Sequence, residues 1–119
     1  MPRRVQERLF DIVEAGEAIA SYVDGFDIER FRHDRRTVDA VLRNIAVIGE
    51  AARSVPEEIR GRRPLIPWVD IADMRNVVVH EYFGVDLDIL WRTATVDVPE
   101  LLVALHGLIT DIGSEHCGE

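Results

Sequence analysis

The stretch DRRTVDAVLRNIAVIGEAARSV, residues 34–55, decides the fold. Val38, Val41, Leu42, Ile45, Ile48, Ala52 and Val55 recur every three or four residues, so one long helix turns all of them inward. Pro56 closes that helix, because a proline disfavours helical backbone in the residue before it. Upstream, Val5, Leu9, Ile12, Val13, Ala15, Gly16, Ile19 and Val23 form a second stripe of the same period, predicting a helix from about Arg4 to Val23 that Asp24-Gly25 ends. Asp27 and Phe31 lie on the short piece between the two helices.

Downstream, residues 57–67 carry two prolines, one glycine and three arginines and read as the main loop. A third helix is expected from about Trp68 to His80 or slightly beyond, with Asp70 and Asp73 in early turns that suit the helix dipole. Met74, Val77 and Val78 are its inward side. Gly84 is a stop, Asp86 an N-cap for a helix through Thr95, and Asp97-Val98-Pro99-Glu100 resembles a capping box with proline in the first turn of a last helix to about Ile112. Nothing reads as a paired set of strands. The expected architecture is all-α, an antiparallel bundle of four to five helices in one domain.

Composition restricts the function classes. At 119 residues, with 47% hydrophobic and 30% charged residues, the chain is ordinary for a globular domain with a modest core. No apolar run reaches a membrane span. Met1–Arg4 leads into an amphipathic segment with acids, unlike a signal peptide. Cys117 is the single cysteine, so no internal disulfide forms, and a reducing cytoplasm is the expected compartment. The net charge of −8 argues against a general nucleic-acid coat protein. The charge is uneven, however. Residues 30–63 hold nine arginines and five acids, whereas residues 86–119 hold one arginine and seven acids. A basic middle on an acidic body suits a localised phosphate site or simply a solvated face and loop. Arg60, Arg62 and Arg63 in the loop are candidates to guide RNA or to contact a partner.

The chemistry concentrates in Arg75-Asn76-Val77-Val78-Val79-His80-Glu81-Tyr82. Arginine clamps phosphate through a planar fork of donors, and histidine moves protons near neutral pH. Asn76 and His80 are four apart and share a helix face. Arg75 and His80 are five apart, about 140° around the axis, so either the long arginine swings round or His80 lies where the helix unwinds. RNA cleavage needs no metal if the ribose 2′-hydroxyl attacks the adjacent phosphate; it needs a proton carrier, here His80, and positive charge on the transition state, here Arg75. Asn76 would orient His80 or a phosphate oxygen. A metal reading through His80, Glu81, Asp86 and Asp88 lacks a second nearby histidine, and capping explains Asp86. No metal or cofactor is expected.

Three further stretches carry a resemblance. Ile45-Ala46-Val47-Ile48-Gly49-Glu50-Ala51-Ala52 contains an "IGEA" helix. Ile66-Pro67-Trp68 followed by Ile71-Ala72-Asp73-Met74-Arg75-Asn76 reads as "IPW…MRN". His80-Glu81-Tyr82-Phe83-Gly84-Val85-Asp86 with Leu90-Trp91 reads as "HEYF-VD…W". In this order, and with Arg-x4-His-x-Tyr, they resemble the HEPN superfamily and its HepT-like branch of toxin ribonucleases over roughly residues 5–112. The resemblance implies a helical fold, a homodimer with two motifs at a composite cleft, and a metal-independent endoribonuclease acting on mRNA or tRNA through Arg75 and His80 with Asn76 beside them. It implies a toxin–antitoxin pair whose antitoxin, an MntA-like nucleotidyltransferase, adds AMP to Tyr82. Glu50, inside the matching "IGEA" helix, either points at the cleft and pairs with Arg75 or faces solvent; Arg43 and Asn44 are weaker candidates on the same helix. Two other readings stay open: a non-catalytic module that presents Tyr82 to a nucleotidyltransferase or supports it, and a plain helical dimerisation domain. Growth inhibition lost in Arg75→Ala and His80→Ala separates the first reading from both.

Overall fold

The computed structural model describes residues 3–80 and 84–117, and it is all-α apart from one two-residue strand pair. Three long rods dominate. The first is α1, Arg3–Val23; the second is α3, Arg35–Arg53, reached through the short α2, Ile28–Arg32. The third runs from α7, Leu87–Arg92, through one π-helical turn, Thr93–Asp97, into α8, Val98–Cys117. Between the second and third rods lie α4, Glu57–Arg60, α5, Trp68–Ala72, α6, Met74–Val78, and the strands β1, Val79–His80, and β2, Gly84–Val85.

The apolar stripes do what their period requires. From α1, Val5, Leu9, Ile12, Val13, Ala15, Ile19 and Val23 are buried, and from α3 so are Val38, Val41, Ile45, Ile48 and Ala52. Leu42 is partly buried against the same core. The two helices pack along each other, and α1 also packs against α8, so closely that a Cβ at Gly16 would meet Leu102 Cδ2 at 2.7 Å. Phe31 is fully buried and meets Trp91 of α7 with ring centroids 5.1 Å apart. Aspartate caps supply the helix starts: Asp27, Asp34 and Asp86 accept from the backbone N–H groups of Arg30, Thr37 and Ile89. Gly25, just past α1, has a φ of 77°, the left-handed conformation that glycine adopts freely.

Several expectations are corrected. The loop over residues 57–67 contains the helical turn α4. The helix expected from Trp68 to His80 is two short helices broken at Asp73, and it ends at Val78. Val79 is extended, with φ −110° and ψ 120°, and pairs antiparallel with Val85, while His80 pairs with Gly84. Three successive valines are poor helix formers and good strand formers, so the exit from helix to strand follows local preference. Val77 is 54% exposed rather than inward; Val78 takes the core position. Asp97 does not open a new helix. Backbone dihedrals are helical at Thr93 and at Val98, on either side of the wide turn, and the Val98 N–H donates five residues back to the Thr93 carbonyl. Pro99 explains the widening: it has no N–H to offer a carbonyl four residues back, and its ring would crowd that carbonyl in a regular α-turn.

Candidate functional site

The break at Asp73 has identifiable causes. In an unbroken helix the Asn76 N–H would donate to the Ala72 carbonyl. It donates instead to Asp73 O at 2.8 Å. The Ala72 carbonyl accepts from Arg53 Nη2 at 2.9 Å, and the same guanidinium nitrogen lies 3.6 Å from Asp73 Oδ1. Gly49, one turn before Arg53 on the same face of α3, lets this junction come close: a Cβ there would sit 3.0 Å from the Ala72 oxygen. So α3 meets the α5–α6 junction through a glycine and an arginine.

Beyond the junction α6 carries Arg75 and Asn76, both exposed. The chain then leaves the helix at Val79 and reaches the backbone of His80 on β1. The 140° separation that a continuous helix would impose therefore does not apply, and His80 lies where the helix has unwound. At the foot of the strand pair the Asp86 N–H donates to the Val78 carbonyl at 2.8 Å while Asp86 Oδ1 accepts from Ile89 N at 3.1 Å. Asp86 thereby ties the motif segment to α7. Tyr82, with Glu81, lies outside the described residues.

Glu50 is exposed and lines a shallow groove between α1 and α3 with Arg8, Asp11 and Arg43. Among the described residues it forms no ion pair with Arg75. Asn44 is buried, its Nδ2 donating to the Ala40 carbonyl at 2.9 Å. Of the loop arginines, Arg60 donates from Nε to Val55 O at 2.9 Å and from Nη2 to Ala52 O at 2.9 Å and Arg53 O at 3.2 Å, closing the end of α3. Arg63 pairs with Asp111 of α8 and donates to the Arg62 carbonyl. Arg62 itself is exposed. Arg53 and the close approach at Gly49 escaped the sequence reading, and Asp73 was expected only as an acid in an early helix turn rather than as the site of the break. A glycine inside an otherwise regular helix was the available signal.

The far side of α6 differs in character. Met74 and Val77 line an apolar groove of about 610 Å³ with Ile66, Ile89 and Leu101; around it stand three carboxylates, Asp70, Asp97 and Glu100, and one guanidinium, Arg63, which Asp111 neutralises. Carboxylates repel phosphate, so this groove offers RNA little and the Arg75 side offers more. Asp88, one of the carboxylates near the motif, pairs with Arg32 of α2. That pairing, as hydrogen bond and as charge, raises the Arg32 pKa further above its already high value, with a smaller contribution from Glu29. No helix among the described residues is long and apolar enough to cross a membrane.

Comparison with known proteins adds an independent finding. A family model described as "Ribonuclease HepT-like" matches residues 12–106. A protein of Thermococcus cleftensis named "Probable ribonuclease HepT" is 40% identical over 101 residues, covering 85% of this chain and 92% of its own. A protein of Methanocaldococcus jannaschii named as a putative RNase is 36% identical over 113 residues, covering 94% of this chain and 93% of its own. No solved structure matches the chain.

Proposed function

Because the chain belongs to the HepT-like ribonuclease family, we propose that it is a metal-independent endoribonuclease acting through Arg75 and His80. The observation that carries the reading is the placement of Arg75 and Asn76, exposed on a short helix with a pinned entry, one helix-to-strand step before His80. The ribose 2′-hydroxyl attacks the adjacent phosphorus. Its proton passes to a base, the 5′-oxygen leaves with a proton, and the products are a 2′,3′-cyclic phosphate and a 5′-hydroxyl. Arg75 stabilises the extra charge on the phosphorane, His80 moves a proton, and Asn76 orients one of them. One motif supplies one histidine where acid and base are both useful, so two copies facing across a homodimer complete the site. The RNA is mRNA or tRNA.

In the same proposal the protein is the toxin of a toxin–antitoxin pair, neutralised when a partner nucleotidyltransferase transfers AMP from ATP to the Tyr82 hydroxyl and releases pyrophosphate. AMP adds bulk and negative charge two residues from His80 and opposes RNA by shape and by like charge.

Purified protein with total RNA and tRNA in EDTA, beside Arg75→Ala and His80→Ala, tests the reading. Cleavage to cyclic-phosphate ends by the wild type, lost in both variants, is the expected result. Absence of cleavage by protein whose intact mass excludes AMP on Tyr82 would refute the enzyme and favour the non-catalytic module.

A further inference from the structure

The α5–α6 junction is held by a residue that neither carries the motif nor serves its own helix. A cation in the last turn of a helix ordinarily turns back on its own terminal carbonyls. At the end of α3 that role is filled by Arg60, which takes the carbonyls of Ala52, Arg53 and Val55. Arg53 is thereby free to cross to the neighbouring segment, where Nη2 takes the Ala72 carbonyl and approaches Asp73. The Asn76 N–H, without the Ala72 carbonyl, shortens its reach to Asp73, and α6 sets off in a new direction. That direction decides where Arg75 and Asn76 point.

We infer that Arg53 is a positioning residue for the reaction: by holding the Ala72 carbonyl out of the helix ladder it sets the direction in which α6 presents Arg75 and Asn76 to the scissile phosphate. This rests on the ribonuclease reading above. The side chains of Arg53 and Asp73 are 57% and 55% exposed. Exposed ion pairs contribute little to folding stability, so orientation should change without a comparable loss of stability. A displacement of about 1 Å at reacting groups lowers rates by up to about 100-fold, and a change of direction at the foot of a five-residue helix operates on that scale.

The competing role is direct contact of Arg53 with an RNA phosphate, and kinetics separate the two. The test compares Arg53→Ala, Arg53→Lys and Asp73→Asn with wild type on one tRNA, reading kcat, KM and Tm, with amide hydrogen exchange alongside. The expected result is a kcat at least about 10-fold lower in Arg53→Ala with KM within about 2-fold. Arg53→Lys recovers part of kcat, because one donor still reaches Ala72. Asp73→Asn loses a smaller part of kcat and gains no affinity. Exchange quickens at residues 74–79 in Arg53→Ala while the amides of α1 and α3 keep their rates. A KM that rises while kcat holds, with Asp73→Asn binding RNA more tightly, would make Arg53 a phosphate contact and overturn the inference. So would an unchanged kcat, or faster exchange spread over the whole chain. If wild type whose intact mass excludes AMP on Tyr82 cuts no RNA, the ribonuclease reading fails by itself, and exchange alone decides whether Arg53 holds α6: no local acceleration refutes it.

Discussion

Replacing Gly49 with alanine sets two known effects against each other. In a helix interior alanine is favoured over glycine by about 0.5–1 kcal/mol. At this position, however, the new Cβ would lie 3.0 Å from the Ala72 oxygen and 3.5 Å from the Ile71 oxygen, both backbone atoms. Neither can rotate away, so α3 and the α5–α6 junction must separate by a few tenths of an ångström, and overpacking of this kind costs about 1–3 kcal/mol. The balance is a destabilisation of about 1 kcal/mol. At about 2.1 cal/mol/K per residue over 119 residues, Tm falls by about 4 °C. Gly107 of α8 is the control, because a Cβ there meets only Arg63 Nη2 at 3.8 Å, an ordinary contact. Gly107→Ala should raise Tm by about 2–4 °C. Urea and thermal unfolding of the two variants beside the wild type give the comparison, and RNA cleavage by Gly49→Ala should fall as well because the displaced atoms carry α6. Should Gly49→Ala stabilise as much as Gly107→Ala, the close approach of Ala72 would be disproved, and with it the steric part of the account of the break.

Phe31→Ala removes a fully buried ring packed on Trp91 and should cost about 3–5 kcal/mol in urea unfolding; a loss under about 1 kcal/mol would mean that α2 does not dock as described. Arg60→Ala should lower stability by about 1.5–3 kcal/mol, since it removes charged hydrogen bonds to three carbonyls at the end of α3. An unchanged urea midpoint with weakened RNA binding would instead assign Arg60 to the substrate. The Arg32–Asp88 pair should be silent near neutrality. A raised folded-state pKa stabilises fully below the unfolded value and is lost only as pH climbs past the folded one, beyond the arginine range. The difference in urea midpoint between wild type and Arg32→Gln should therefore stay constant from about pH 6 to 9, and a difference that vanished inside that window would contradict the assignment.

The rods were legible in the sequence wherever the cause was local. The stripes of α1 and α3 follow from the 3.6-residue period, and Asp86 stands where a side-chain oxygen must meet the first free N–H groups; Asp34 plays the same part at α3, although the sequence marked it only as the start of the helix. The break at Asp73 was not legible. Ala72, Asp73, Met74 and Arg75 are acceptable helix residues, and the group that diverts the Ala72 carbonyl comes from Arg53, nineteen residues away. Val77 was misplaced for the same reason, since the break changes which side of α6 meets the core. Asp97 and Pro99 carry the signs of a helix start, but a helix can also accommodate proline by widening. For the candidate site, Arg75 and Asn76 were readable as residue types and His80 as the next partner, whereas the orientation of α6 depends on contacts between segments that no local pattern encodes. Arg60 and Arg63 read as loop cations because carbonyls at the end of α3 and a carboxylate on α8 are invisible to composition.

The π-helical turn bears on how the chain can vary in length. Such a turn holds one residue more than the α-turn it replaces, so the rod from Leu87 to Cys117 contains a spare one. Leu90, Ala94 and Val98 are all buried though spaced four and four; at about 100° per residue two such steps would drift by about 80°, and the wide turn absorbs the drift. Deleting exposed Val96 together with Pro99→Ala would let the rod close into continuous α-helix with Leu90, Leu105 and Leu108 still facing the core. An equal deletion at exposed Ala20 would swing the remainder of α1 by about 100° and break its stripe. A relative one residue shorter between Thr93 and Asp97 should therefore keep the same core, and a gap at that place marks the closing of a bulge rather than a change of fold.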